Sequence, residues 1–132
     1  MKDLASEFGE KAGKIWTTLN KKGPLSKRRI LEITKLKENE FYTAVGWLAR
    51  ENKIFRKSEN FYKLDNTNLT PVVGANAGKV WNVLNVWGEV DVPTIKKLAE
   101  IDEKEIYSAV GWLARENKIY ADEKLAKYSL KR

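Results

Sequence analysis

An eleven-residue segment occurs twice in this chain without a single change, at Ala44–Ile54 and again at Ala109–Ile119. The second copy begins 65 residues after the first, and the same offset relates the two halves from residue 9 to residue 55 without a gap. A repeat of this length in a 132-residue chain indicates one supersecondary unit that is present twice. We therefore predict two units, residues 1–66 and residues 67–132, each so small that it packs on the other.

The repeated segment lies in a predicted helix that buries one face. Apolar residues recur there at positions i, i+3, i+4 and i+7, the spacing of a single helix face. In the two copies they are Phe41, Ala44, Val45 and Leu48, and Ile106, Ala109, Val110 and Leu113. Two short runs of β-branched and aromatic residues follow each copy and are separated by a charged tip, so each unit ends in a helix and a β-hairpin.

Two further helices are predicted ahead of this one in each unit. Ser26 and Asp91 are good N-caps for the second helices. For the third helices, Asp102 and Glu105 have the spacing of a capping box, whereas Lys37 occupies the cap position in the first unit. The sequence therefore predicts a firmer start for the third helix in unit two than in unit one.

Composition limits the chemistry that the chain can perform. There is no cysteine, which excludes disulfides and suits a reducing compartment, and there is no histidine, the commonest general base and metal ligand. No glycine-rich phosphate loop is present, and the serines lack a histidine partner. We therefore expect no enzymatic activity, no cofactor, no metal site and no small-molecule substrate.

The chain has no apolar run of the ~20 residues that a membrane span requires, and its start lacks the apolar segment of a signal peptide. We expect no membrane association and a cytoplasmic location, with nucleoid association if DNA is bound. The polar segment Asp65–Val72 ends near a proline and is predicted to be a linker between the units.

Positive charge is concentrated in the first unit. The whole chain has 25 basic and 18 acidic residues, a net charge of +7. Residues 1–66 contain 15 basic and 9 acidic groups, a difference of +6, whereas residues 67–132 contain 10 and 9, a difference of +1. Such a charge suits a polyanionic partner, and the first unit is the better candidate to bind one.

The predicted order of helix, minimal strand, second helix, tight turn, third helix and two-stranded wing resembles the winged helix-turn-helix fold, twice over nearly the whole chain. The Ala-Val-Gly-Trp-Leu-Ala-Arg-Glu segment is similar to that of small uncharacterised winged-helix proteins of bacteria and archaea, in which one unit forms the entire chain. The resemblance implies an α+β fold with two winged helix-turn-helix units, each of three helices and a small β-hairpin wing, packed as a pseudo-twofold pair.

The resemblance also implies which residues would meet a nucleic acid. The third helix would be the recognition helix, the second would lie over the phosphate backbone, and the wing would reach an adjacent groove. The corresponding residues of this sequence are Lys27, Arg28, Arg29, Thr43, Arg50, Lys53, Arg56 and Lys57 in unit one, and Arg115 and Lys118 in unit two. In unit two, Val92, Pro93 and Thr94 replace the basic cluster of the second helix, so binding would depend mainly on unit one.

The outer face of the third helix carries a tryptophan beside a glycine instead of the polar residues typical of a base reader. These residues are Gly46, Trp47, Gly111 and Trp112. One interpretation is an interface between the units about a pseudo-twofold axis, a second is burial in each unit's own core, and a third is stacking on unpaired bases. The first interpretation would occlude the recognition helices and leave phosphate contacts as the basis of binding.

The leading hypothesis from the sequence is a protein that binds double-stranded DNA, mainly through phosphate contacts of unit one, as a transcriptional regulator or small chromatin-associated factor. The alternative is a protein–protein interaction module with no nucleic-acid role, in which the positive charge serves solubility. We expect a monomer with an internal pseudo-dimer and leave further self-association open.

Overall fold

The structure of the protein is a computed structural model that describes Lys2 and residues 4–132. Unit one consists of α1 (Leu4–Lys22), β1 (Leu25–Ser26), α2 (Lys27–Thr34), α3 (Glu38–Arg50), β2 (Ile54–Ser58) and β3 (Phe61–Leu64). After a π-helical turn at Thr70–Gly74, unit two repeats this order as α4 (Ala75–Trp87), β4 (Val90–Asp91), α5 (Val92–Ala99), α6 (Glu103–Arg115), β5 (Ile119–Ala121) and β6 (Lys127–Leu130). The predicted α+β fold of two winged helix-turn-helix units is confirmed.

The wing is the β2–β3 hairpin in unit one and the β5–β6 hairpin in unit two. In each unit, the short strand that precedes the second helix pairs with the wing and completes a three-stranded sheet. The antiparallel orders are β1-β3-β2 and β4-β6-β5, and the central strands β3 and β6 each carry a buried tyrosine. The second helices start directly after the short strands. Ser26 Oγ accepts a hydrogen bond from the Arg29 amide at 3.2 Å, and Asp91 Oδ1 accepts one from the Thr94 amide at 2.9 Å, which confirms both predicted N-caps.

The predicted difference between the third-helix starts is wrong. In unit one, the Glu40 carboxylate accepts a hydrogen bond from the Lys37 backbone amide at 2.8 Å, which supplies half of a capping box. In unit two, the side chain of Asp102 caps no amide, and Glu105 instead accepts a hydrogen bond from Asn76 at 3.3 Å. The sequence showed the capping-box residues of unit two but could not show that Glu105 has a tertiary partner.

Each hydrophobic core contains residues from the segment that precedes the first full turns of the other unit's first helix or lies within them. Leu4 and Phe8, from the first turns of α1, lie in the core of unit two, whereas the equivalent Leu69 and Val73 lie in the core of unit one. Two backbone hydrogen bonds, of 2.7 and 3.2 Å, join Lys2, which precedes α1, to Ala121 in the wing of unit two. The segment predicted to be a plain linker is therefore part of a core and ends in the π-helical turn.

The third helices α3 and α6 cross at their glycines. A Cβ atom added to Gly46 would lie 2.7 Å from the Ser108 carbonyl carbon, and one added to Gly111 would lie 2.8 Å from the Thr43 carbonyl carbon. Backbones this close leave no room for a side chain at either position unless the two helices move apart. The crossing forms the centre of the pseudo-twofold pair.

No helix in the part of the chain that the structure describes qualifies as a membrane span.

Candidate nucleic-acid interface

The start of α2 and the tip of the unit-one wing lie side by side. Strand β1 pairs with β3, and the Lys27 amide donates a hydrogen bond to the Asn60 carbonyl at the wing tip, at 2.8 Å. Ser26, Phe61 and Ser58 form one row across the three strands. This row brings three exposed cations to the same end of the sheet, and we call them the basic surface: Arg28, Arg29 and Lys57.

Two of the three cations of the basic surface have no acidic partner in the part of the chain that the structure describes. Arg28 and Lys57 form no ion pair with any residue that the structure describes. Arg29 contacts Glu32 one turn later at 3.2 Å, and both side chains are more than half exposed. Exposed pairs of this kind contribute little, so phosphate oxygens could replace Glu32 at small cost.

Lys27 is turned away from this surface. Its ammonium donates to the Tyr42 hydroxyl at 3.0 Å and lies 3.7 Å from a Glu38 oxygen, so the cation faces α3. The hydrogen bond to Tyr42 raises the pKa of Lys27 above its ordinary value, even though partial burial acts in the opposite direction. Lys27 therefore supports the packing of α2 on α3, and its charge is already engaged.

Arg56 lies on the inner side of the same wing. It is paired in register with Tyr62, whose ring is buried. Burial raises the pKa of the Tyr62 hydroxyl, while the neighbouring Arg56 guanidinium acts in the opposite direction. The backbone of Arg56 is held by Asn68, which accepts from its amide at 2.9 Å and donates to its carbonyl at 2.7 Å. Arg56 is half-buried beside the linker and lies apart from the basic surface.

The remaining cationic candidates form a separate cluster at the C-terminal ends of α3 and α6. Two acids, Glu51 and Glu116, each hold the arginine of the opposite helix and the lysine that follows their own helix. The arginine contacts are 3.1 Å for Arg50–Glu116 and 2.9 Å for Arg115–Glu51, and the lysine contacts are 3.5 Å for Lys53–Glu51 and 3.4 Å for Lys118–Glu116. Four cations around two acids leave the cluster positive, and the arginines and lysines remain about half exposed.

The prediction that Thr43 contacts a nucleic acid is wrong. It is buried under α6, its hydroxyl donates to the Asn39 carbonyl at 2.9 Å, and its own carbonyl faces Gly111. Two rings cover the crossing: Trp47 lies over Gly9 and under the Arg115 guanidinium, and the equivalent Trp112 lies over Gly74 and under Arg50, at 5.6 Å from guanidinium to ring centre in both cases. Both rings contact both cores, so the outer faces of the third helices cover each other.

Lys63, on the outer face of the wing, is a further cation that was not among the residues predicted from the sequence. Lys63 pairs in register with Phe55, its ammonium lies 5.1 Å from that ring centre, and it contacts Asp65 at 3.4 Å. The alternation of Phe61, Tyr62, Lys63 and Leu64 placed Lys63 on the solvent face of the strand, and this signal was available in the sequence.

In unit two, the positions equivalent to those of the basic surface carry no basic residue. Val92 is buried at the equivalent of Lys27, and Pro93 and Thr94 replace the two arginines. At the wing tip, Asp122 accepts backbone hydrogen bonds from Ala126 at 2.8 Å and Lys127 at 3.1 Å, and these bonds lower the pKa of its carboxyl.

Within the described residues, no group of three or more acidic side chains could hold a metal ion. The chemistry that the basic surface offers is the electrostatic binding of anions.

The sequence profile of the family described as winged helix-turn-helix domain (DUF2582) matches residues 1–64 and again residues 65–132. Among solved structures, the mRNA-binding domain of elongation factor SelB from E. coli, in complex with SECIS RNA, is similar with a TM-score of 0.40 and 12% sequence identity, over 93% of this chain and 98% of that chain. No curated protein matches the sequence. Because the two profile matches together span the whole chain, the protein belongs to the winged helix-turn-helix domain family DUF2582, whose unit it contains twice.

Proposed function

We propose that this protein binds double-stranded DNA through the basic surface of unit one, as a transcriptional regulator or small chromatin-associated factor. The observation that carries the proposal is the pair Arg28 and Lys57, which are exposed, lack an ion-pair partner among the described residues and lie at one end of the unit-one sheet. In helix-turn-helix proteins the helix that precedes the recognition helix crosses the DNA backbone, and α2 holds that position in unit one. The family membership agrees with this use.

The proposed binding mode relies on phosphate contacts. The outer face of α3 is covered by α6, so neither third helix can present that face to a major groove. Arg28, Arg29 and Lys57 would instead contact phosphate oxygens, which fix position but carry no base information. The binding is therefore strongly dependent on salt and weakly selective for sequence.

A titration of a short labelled duplex at several salt concentrations between about 50 and 200 mM tests this mode. The logarithm of the binding constant should fall linearly with the logarithm of the salt concentration. Arg28→Ala and Lys57→Ala should each reduce the slope by about one unit, because each removes one phosphate contact. Lys96→Ala is the matched control, since Lys96 is an exposed lysine on the second helix of unit two and should leave the slope unchanged.

Two results would refute the proposal. One is the absence of a duplex shift at the lowest salt concentration. The other is a slope in both Arg28→Ala and Lys57→Ala that equals the slope of the wild type, with circular dichroism showing that both variants are folded.

A second candidate function is the docking of a protein partner. The end of α4 exposes an apolar pair, because Val86 is 74% and Trp87 is 64% accessible. Single exposed apolar residues are common, but two adjacent ones at a helix end suit a protein contact. This candidate predicts that the wild type retains one acidic partner in an affinity pull-down, that Trp87→Ala does not, and that duplex DNA is not shifted at low salt.

A further inference from the structure

The pseudo-twofold pair contains two equivalent cavities of very different size. The larger has a volume of about 490 Å³ and lies between the wing of unit one, the π-helical turn and the start of α6. The smaller, at the equivalent place in unit two, has a volume of about 30 Å³, enough for no more than about two water molecules. We call the larger one the wing cavity.

One reason for the difference is the size of the apolar residue that enters each core from the other unit. The small cavity is lined by Phe8, and the equivalent position in the wing cavity is Val73. Leu125, from the wing tip of unit two, also fills the small cavity, whereas the wing tip of unit one contributes Ser58 and Glu59. The wing cavity therefore lacks a ring and a branched side chain that its counterpart contains.

A second reason is the loss of an ion pair. In the small cavity, Lys11 and Glu40 form a salt bridge of 2.9 Å that occupies the space beside Phe8. The equivalent residues in the wing cavity are Asn76 and Glu105, which share one hydrogen bond of 3.3 Å. Glu105 thus lies at the cavity without the lysine partner that its counterpart Glu40 has.

The lining of the wing cavity suits a small molecule that carries one positive and one negative charge. Its volume lies within the range of about 300–1,000 Å³ that is usual for such sites. Two tyrosine rings form walls, and Val45, Leu69 and Val73 form an apolar floor. Two cations, Arg56 and Lys104, and two acids, Glu59 and Glu105, line it, and none of the four has an ion-pair partner among the residues described.

The four charged side chains of the cavity differ in how deeply they are buried. Lys104 and Glu59 are exposed at the rim, whereas Arg56 and Glu105 are half-buried. Charge-assisted hydrogen bonds are strongest where water is partly excluded, so the inner pair would orient the ligand. One cation and one acid above an apolar floor are complementary to a zwitterion with an apolar body.

We propose that the wing cavity binds a free α-amino acid with an apolar side chain. The carboxylate of the ligand pairs with the Arg56 guanidinium, its ammonium pairs with Glu105, and its side chain lies on the floor beside Val73. This function is separate from nucleic-acid binding, and its test requires no nucleic acid.

The test is a titration of the ¹⁵N-labelled full chain with L-leucine and with L-phenylalanine, followed by NMR. Concentrations should reach about 10 mM, because a ligand of this size is expected to bind with a Kd of about 1 mM or below. Amide shifts should concentrate at the unit-one wing and residues 69–76. N-acetyl-L-leucine amide, which has the apolar body without the charges, should bind at least about tenfold more weakly.

Val73→Phe is the decisive variant, since Phe8 shows that the fold accommodates a phenylalanine at the equivalent place. It should weaken binding at least about tenfold by filling the cavity, and Arg56→Ala should weaken it about tenfold by removing the carboxylate partner. Lys97→Ala, remote from the cavity, should bind like the wild type. If Val73→Phe fails to fold, Arg56→Ala decides alone. The proposal is overturned if no shifts occur, if a folded Val73→Phe binds like the wild type, if Arg56→Ala has no effect, or if the neutral amide binds as tightly as the amino acid.

Discussion

The crossing of α3 and α6 can be tested by adding a single methyl group. In Gly46→Ala, the new Cβ would lie 2.7 Å from the Ser108 carbonyl carbon and closer still to its oxygen. Ordinary contacts between carbon atoms are about 3.5–4.0 Å, so the helices must separate by roughly 1 Å. That movement loosens the contacts of both tryptophans, which lie against both cores.

The size of the effect follows from two opposing contributions. Overpacking of a tight core typically costs about 1–3 kcal/mol, and a clash with backbone belongs at the upper end of that range. Alanine gains about 1 kcal/mol over glycine in a helix interior. The net loss in the free energy of unfolding is therefore about 2 kcal/mol, which corresponds to a decrease in Tm of about 8 °C for a chain of this length.

Gly13→Ala provides the matched control. Gly13 lies inside α1, and a Cβ atom there would meet nothing within 4 Å, so only the gain in helix propensity applies. Urea unfolding monitored by circular dichroism should show Gly46→Ala below the wild type in stability and Gly13→Ala above it, by up to about 1 kcal/mol. A Gly46→Ala variant as stable as the wild type would refute the close crossing of the helices.

Three further predictions concern the helix caps and the division of the chain. Glu40→Ala should destabilise the protein by about 1 kcal/mol and speed amide exchange at the start of α3, because it removes the acceptor of the Lys37 amide; unchanged exchange there would contradict this. The Thr94 hydroxyl and amide lower the pKa of the Asp91 carboxyl below its ordinary 3.8, so its contribution to stability is present above that pH and lost as the pH falls below it. Asp91→Asn should therefore reduce the acid dependence of urea unfolding, and an unaltered acid limb would contradict the assignment. A fragment of residues 1–66 lacks Leu69 and Val73 and the covering helix α6, so sedimentation and circular dichroism should find no folded monomer.

The fold could be predicted from local patterns because the repeat supplied every pattern twice. The spacing of Phe41, Ala44 and Val45 fixes the buried face of α3, and the same spacing fixes that of α6. Ser26 and Asp91 mark the second helices through short-range hydrogen bonds that depend on neighbours in sequence. Such signals lie within a few residues of each other, and this is why the element order could be predicted.

The candidate site could be predicted only in part, because the partners of charged side chains come from distant parts of the chain. Lys27, Arg28 and Arg29 are adjacent in sequence, yet Lys27 binds Tyr42 while Arg28 remains exposed. Arg50 is held by Glu116, 66 residues away, and no spacing rule connects them. The sequence also could not predict that Leu4 packs in the core of unit two and Leu69 in the core of unit one. Both units have a leucine at this position, and a leucine fits either core.

The pseudo-twofold axis accounts for the run of eleven identical residues, whereas elsewhere the two units share only single positions and shorter runs. Near the axis every contact occurs twice, with the roles of the two units reversed: Gly46–Ser108 and Gly111–Thr43 at the crossing, and Arg50–Glu116 and Arg115–Glu51 at the helix ends. A change in one copy therefore alters the surface that the other copy must fit, and identical residues satisfy both at once. Arg28, Lys57 and Val73 are not among these paired residues, and their equivalents Pro93, Asp122 and Phe8 differ from them in charge or size. The basic surface and the wing cavity can therefore be present in one half of the pair without altering the contacts at the axis.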